Sequence, residues 1–259
     1  MLPKEAGASW LKALPRLLGR LEVESSINVG RPFPHATEAF VSEAVTADGR
    51  PVALKVPIAG LANADREQSL LQTAGGRGYV QLLRHDADSG AMLLERLGPQ
   101  LATLGLPIEK QIRIICRTLK QAWMPLPSGV SFPTGVDKAS EISSYISTVW
   151  PQLGRPCSEK VVEVALRFAK ARRDAFDPAD SVLAHGDAQA WNTLLDSKTG
   201  ECKFADPDGL FIERAYDVSI SMREWSAELL AGDPVALGRK RCALLSHVSP
   251  PPAVRTRRA

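Results

Sequence analysis

The sequence predicts an α+β chain in two lobes, a small strand-rich one over residues 1–97 and a helix-rich one over residues 98–259. Three observations carry that reading. Short apolar runs separated by turn residues crowd the first part. Helical periodicities take over after Gly98-Pro99. Short strands then return between residues 182 and 205, inside the helical part.

The elements follow in order. Trp10, Leu11, Leu14, Leu17, Leu18 and Leu21 recur at helical spacing, an amphipathic helix with Pro15 as its weak point. SSINVGRPFPH is a Gly- and Pro-containing stretch. Thr37 to Val45 and Pro51 to Val56 form a hairpin around the turn Ala47-Asp48-Gly49-Arg50. Asn63 is placed to cap a helix that runs to about Ala74, with Asp65 in its first turn and Gly75-Gly76 ending it. Tyr79 to Arg84 and Ala91 to Arg96 are two more strands. Pro107 opens a helix to about Trp123, at the position where proline is tolerated. After a Pro- and Gly-rich loop come helices at Ala139 to Val149 and Ser158 to Arg173. Strands at Val182 to Ala184, Thr193 to Leu195 and Lys203 to Ala205 precede a helix over Ala215 to Leu230.

Composition narrows the class of function. Of 259 residues, 44% are hydrophobic and 24% charged, as in ordinary globular chains. A net charge of +3, with the basic residues dispersed apart from Arg255-Thr256-Arg257-Arg258, gives no nucleic-acid stripe. No run of about 18 apolar residues suggests a membrane span. The N-terminus lacks the apolar stretch of a secretory signal. Cys116, Cys157, Cys202 and Cys242 form no CxxC or Cys/His cluster, so zinc is not expected. They read as reduced core thiols of a cytoplasmic protein. No obligate protein partner is implied; the partner expected is a small-molecule substrate. HExxH and GxSxG are absent.

Four features meet the needs of phosphoryl transfer in the order a two-lobed protein-kinase-like fold would place them. Lys55 stands in the strand Val52-Ala53-Leu54-Lys55, where an ammonium is costly to bury without an anion. A lysine whose head reaches water at a sheet edge would look the same in sequence. Glu67, twelve residues on in the next helix, could hold that ammonium or simply face solvent. In His185-Gly186-Asp187-Ala188-Gln189-Ala190-Trp191-Asn192, Asp187 would orient an acceptor hydroxyl and take its proton. Asn192 would offer its amide oxygen to Mg2+. Asp206, in Phe204-Ala205-Asp206-Pro207-Asp208-Gly209, would be a second oxygen ligand. Asp, Asn and Gly also build turns, so each motif alone has a bland explanation. The conjunction favours chemistry. His185 is expected to brace the loop by hydrogen bonds. His35 and His85 are isolated, and His247 lies near a frayed end.

HGDAQAWNTLL followed by FADPDGLFIERAYDVSISMREW resembles the aminoglycoside phosphotransferase superfamily, and within it the streptomycin 6-phosphotransferase and aminoglycoside/hydroxyurea resistance kinases. The likeness runs from about Trp10 to Leu245 and is most specific between Val182 and Trp225. It implies a protein-kinase-like fold and transfer of the ATP γ-phosphate to a hydroxyl of an antibiotic. By position, Asp187 resembles the catalytic Asp, Asn192 and Asp206 the metal ligands, and Lys55 the ATP lysine with Glu67 beside it. Met92-Leu93-Leu94-Glu95-Arg96 resembles the linker whose backbone holds adenine, which places Glu95 in the cofactor set. Asp217 resembles a carboxylate that braces the catalytic loop; a helix-end salt bridge is the alternative. Asp208 and Glu213 are candidate acids for a cationic substrate, or face water. Gly30 stands without a GxGxxG, so the phosphate cover is unassigned. Relatives continue past GRKRCALLSHV with further helices, whereas here Pro-Pro-Pro and a basic end follow, so the C-terminus reads as truncated. A streptomycin-type aminoglycoside is the acceptor expected first. Another hydroxylated metabolite or hydroxyurea, or a non-catalytic nucleotide-binding remnant, are the alternatives.

Overall fold

The structure is a computed structural model that describes residues 4–34, 36–58 and 64–248. The expected cap Asn63, the isolated His35 and the tail from residue 249 lie outside the described residues. The chain divides into two compact units. One joins residues 1–106 to 190–207; the other joins 107–189 to 208–259. The sequence pattern suggests a single division after Leu97. The observed one is interrupted because the hairpin carrying Asn192 bonds, backbone to backbone, to the strand-rich part.

The strand-rich unit begins with α1 (Lys4–Ser25). A five-stranded antiparallel sheet follows: β1 (Ile27–Pro32), β2 (Ala39–Thr46), β3 (Pro51–Pro57), β4 (Leu82–Asp86) and β5 (Ala91–Glu95), in the order β1-β2-β3-β5-β4. Helix α1 runs through Pro15 without a break. Leu14 and Leu21, with Trp10, Leu17 and Leu18 around them, pack on Ile27, Val52, Leu54 and Leu93, and this apolar face outweighs the one missing backbone donor. Strand β1 falls in the Gly- and Pro-containing stretch, to which the sequence assigned no element. It is an edge strand, mostly exposed, where both residues are tolerated. Helix α2 (Ala64–Ala74) buries Glu67, Leu70, Leu71 and Ala74, one face at three- and four-residue spacing.

The hairpin β7 (Thr193–Leu195) and β8 (Cys202–Phe204), which follows strand β6 (Ser181–Ala184) in the chain, completes this unit. Val80 N–H donates to Phe204 O at 2.7 Å, and Phe204 N–H to Gly78 O at 2.9 Å. Gly98 N–H donates to Leu195 O at 2.7 Å. A Cβ on Gly98 would stand 2.8 Å from that same oxygen, so the approach requires glycine.

The helix-rich unit holds α3 (Ile108–Ala122), α4 (Gly135–Gln152), α5 (Glu159–Asp174), the strand pair β6 (Ser181–Ala184) and β9 (Leu210–Glu213), then α6 (Arg214–Arg223), α7 (Ser226–Leu230) and α8 (Pro234–Val248). Ile112 and Cys116 of α3 pack with Leu245 of α8, ringed by Val218, Met222 and Trp225. A capping box between Thr134 and Asp137 starts α4. The helix expected over Ala215 to Leu230 is two helices. Trp225 has φ +55° and breaks it, and buried Arg241 of α8 holds the corner by donating to Ser221 O and Glu224 O. Cys116 and Cys202 are buried, whereas Cys157 and Cys242 are exposed, so only two of the four are core thiols.

Candidate active site

In the strand-rich unit, Lys55 pairs across β3 with Val41 and Met92, and only 8% of it is exposed. Its Nζ donates to both carboxylate oxygens of Glu67, at 2.7 and 2.6 Å, and to the carboxylate of Asp206. The first turn of α2 aims Glu67 inward because Leu70 and Leu71 share its face. Burial acts against the ammonium most strongly, but Glu67 and then Asp206 outweigh it, and the Lys55 pKa is raised. The lysine of this strand is therefore a buried, paired cation and not an edge side chain reaching water.

Asp206 differs from its neighbours in the triad. Its side chain is 65% exposed, and its backbone sits at φ +59°, a conformation few non-glycine residues adopt. Ala205 N–H donates to Asn192 O at 2.9 Å, and Thr193 pairs with Phe204. Asn192 and Asp206 thus flank one end of the β7–β8 hairpin. The Glu95 carboxylate accepts from Lys203 Nζ at 2.5 Å and from Gln81 N–H at 2.8 Å. Its side chain belongs to the framework.

In the helix-rich unit, β6 ends at Ala184 and the chain turns through His185-Gly186-Asp187. Asp217, fully buried in the first turn of α6, accepts from His185 N–H at 3.0 Å, Gly186 N–H at 2.7 Å and Trp123 Nε1–H at 2.9 Å. These bonds brace the turn. The buried imidazole of His185 accepts from Asp187 N–H through Nδ1 at 3.1 Å, and its carbonyl accepts from Gly209 N–H. Gly186 has φ +92°, and a Cβ there would stand 2.7 Å from Asp208 Cβ. Asp208 therefore packs directly on the Asp187 turn.

The carboxylate of Asp187 accepts from Gln189 Nε2 at 2.6 Å on one oxygen and from Arg223 at 2.6 Å on the other. Tyr216 stands nearby. Burial first, then the charge of Asp208, pushes its phenol up to about 12. Glu213 is bound to Arg172 of α5 by two guanidinium bonds, 2.9 and 2.5 Å, and serves that packing.

Lys55, Glu67, Asp206 and Asn192 are thus gathered within one unit, and Asp187, His185, Asp208 and Asp217 within the other. Gln189, Lys203 and Arg223 were missed by the sequence reading. The only available signal was spacing. Gln189 lies two residues after Asp187, and Arg223 lies six after Asp217, under two helical turns along α6.

Among the described residues, no group of three or more His, Cys, Asp or Glu is gathered as a metal site. Two residues with hard oxygen donors at one end of a hairpin, as Asn192 and Asp206 are, suit Mg2+ when phosphate oxygens and water complete the shell. The donor set fits that ion and not zinc.

Residues 32–250 match the aminoglycoside/hydroxyurea antibiotic resistance kinase family. A hydroxyurea phosphotransferase of Kitasatospora aureofaciens is 28% identical over 191 residues, 73% of this chain and 55% of that protein. A streptomycin 6-kinase of Streptomyces griseus is 25% identical over 94% of this chain and 78% of its own length. The chain thus spans about half of the first relative. An aminoglycoside phosphotransferase of Streptomyces rimosus, solved with ADP and streptomycin, superposes with a TM-score of 0.59 at 16% identity, covering 91% of each chain. That likeness establishes the kinase-like fold. No helix among the described residues is long and apolar enough to cross a membrane. The chain belongs to the aminoglycoside/hydroxyurea antibiotic resistance kinase family.

Proposed function

We propose that this chain transfers the γ-phosphate of ATP to a hydroxyl of a small molecule, first a streptomycin-type aminoglycoside. One observation carries the reading. Lys55 is anchored by buried Glu67, yet its other partner, Asp206, is largely exposed. A purely structural pair would not need its second carboxylate at the surface. An ammonium set to receive phosphate oxygens would.

The roles follow from chemistry. Lys55, held by Glu67, positions the phosphates. Asn192 and Asp206 would hold Mg2+, which would offset the charge of the triphosphate. The backbone around Glu95 receives the adenine. Asp187 accepts a hydrogen bond from the acceptor hydroxyl and takes its proton as the oxygen bonds to the γ-phosphorus. The bond from that phosphorus to the bridging oxygen breaks, and ADP leaves with the electron pair. Asp217 and His185 fix the Asp187 turn, so orientation is set before the acceptor arrives. Asp208, packed on Gly186, is the acid best placed to meet a cationic acceptor.

A second reading takes a neutral acceptor such as hydroxyurea. The relative at 28% identity bears that name, and the cation of Arg223 already stands on Asp187. The test is a panel of acceptors, streptomycin and hydroxyurea included, with purified protein and Mg·ATP. Phosphorylated streptomycin is the expected product. Nucleotide binding with no product from any acceptor would mark a non-catalytic remnant and overturn the proposal.

A further inference from the structure

Arg223 holds a position that the roles above leave unexplained. It is the last residue of α6, at the helix end where a cation is favoured. Its side chain is 68% exposed, yet its guanidinium is on one oxygen of the Asp187 carboxylate. The geometry behind this contact is built. Asp217, at the start of the same helix, grips His185 and Gly186. Arg241, 5% exposed, donates to Ser221 O and Glu224 O at the far end and pairs with Glu228. One helix therefore registers both the backbone of the Asp187 turn and the cation on its carboxylate. The opposite oxygen accepts from Gln189, a neutral donor.

We propose that Arg223 is a displaceable counter-ion of Asp187, a placeholder whose position a cationic acceptor takes when it binds, and so a specificity-determining residue. This rests on the function proposed above, with Asp187 as the group that meets the acceptor. An acceptor hydroxyl within hydrogen-bond reach of Asp187 brings any neighbouring guanidinium or ammonium close to Arg223. A neutral acceptor meets no such opposition. Exposure lets the side chain swing into water at little cost, and the negative charge of Asp208, which also acts on the Tyr216 phenol, favours the incoming cation. Arg223 thereby sets how much a positive charge on the acceptor costs.

The test compares R223Q and R223K with the unaltered full chain by calorimetric titration of streptomycin in the presence of Mg·ADP. R223Q should bind streptomycin about fourfold more tightly at low salt, the size of like-charge repulsion at about 5 Å in a well-solvated setting. R223K should stay near the unaltered protein, and the gain should shrink at high salt. Hydroxyurea serves as the neutral control and should show no such gain. Equal or weaker streptomycin binding by R223Q, or a matching gain for hydroxyurea, would overturn the proposal. Turnover is scored separately. If streptomycin binds with this charge dependence but no phosphate is transferred, the counter-ion role stands and the proposed function falls.

Discussion

Replacing Glu67 by Gln removes the buried charge that anchors Lys55 while keeping the volume. Glu67 and Lys55 have side chains 6% and 11% exposed, so the ammonium would be left largely out of water. Removing one partner of such a pair costs about 3–5 kcal/mol. Asp206 still touches the ammonium, but it is 65% exposed and screened, so the lower end applies, about 3 kcal/mol. At about 2–4 °C per kcal/mol, the melting temperature should fall by roughly 6–12 °C. Scanning calorimetry at neutral pH reads this directly. The double variant Lys55→Met with Glu67→Leu removes both buried charges at similar volume and should recover most of the loss. Lys55 has a raised pKa, so its contribution is full below the ordinary lysine value of about 10.4. It is lost only as pH climbs through the higher folded value. The Glu67→Gln penalty should therefore stay level between about pH 7 and pH 10. A fall of less than about 2 °C, or a double variant no better than the single one, would refute the buried ion-pair account.

The other predictions concern the helix-rich unit and the thiols. Asp217→Ala leaves two buried backbone donors and the Trp123 indole without their acceptor, and should cost about 3–5 kcal/mol in urea unfolding, with faster hydrogen exchange at Gly186. Gly186→Ala forces a Cβ at φ +92° to within 2.7 Å of Asp208 Cβ; phosphate transfer should fall at least tenfold while circular dichroism stays unchanged. Exposed Cys157 and Cys242 should alkylate quickly at pH 8, and buried Cys202 slowly. Cys116 should also be slow, since burial pushes its thiol up to about 11 and keeps it protonated.

Much of this was legible before any coordinates, and the reasons are local. Lys55 stands out because an ammonium in an apolar strand demands an anion. Asp187, Asn192 and Asp206 are readable because turn chemistry and spacing confine them to short loops. Strand β1 was hidden because an exposed edge strand shows no alternation. The break at Trp225 had no glycine or proline to announce it; Arg241, sixteen residues later, stabilises it from another helix. Partner choice was least visible. Lys55 and Asp206 are 151 residues apart, and Glu213 and Arg172 are 41 apart, so no periodicity links them. Glu213 and Glu95 show the consequence. Both looked available by type, and both have carboxylates bound to basic side chains of the framework.

The most direct test separates nucleotide binding from transfer in Asp187→Ala and Asp206→Ala. Titration with Mg·ATP and transfer to streptomycin are measured on the same preparations. Asp187→Ala should bind nucleotide within about threefold of the unaltered protein, a difference under about 0.7 kcal/mol, and form no phosphorylated product. Asp206→Ala should lose affinity for Mg·ATP as well. Undiminished transfer by the Asp187 variant would contradict the account at its centre.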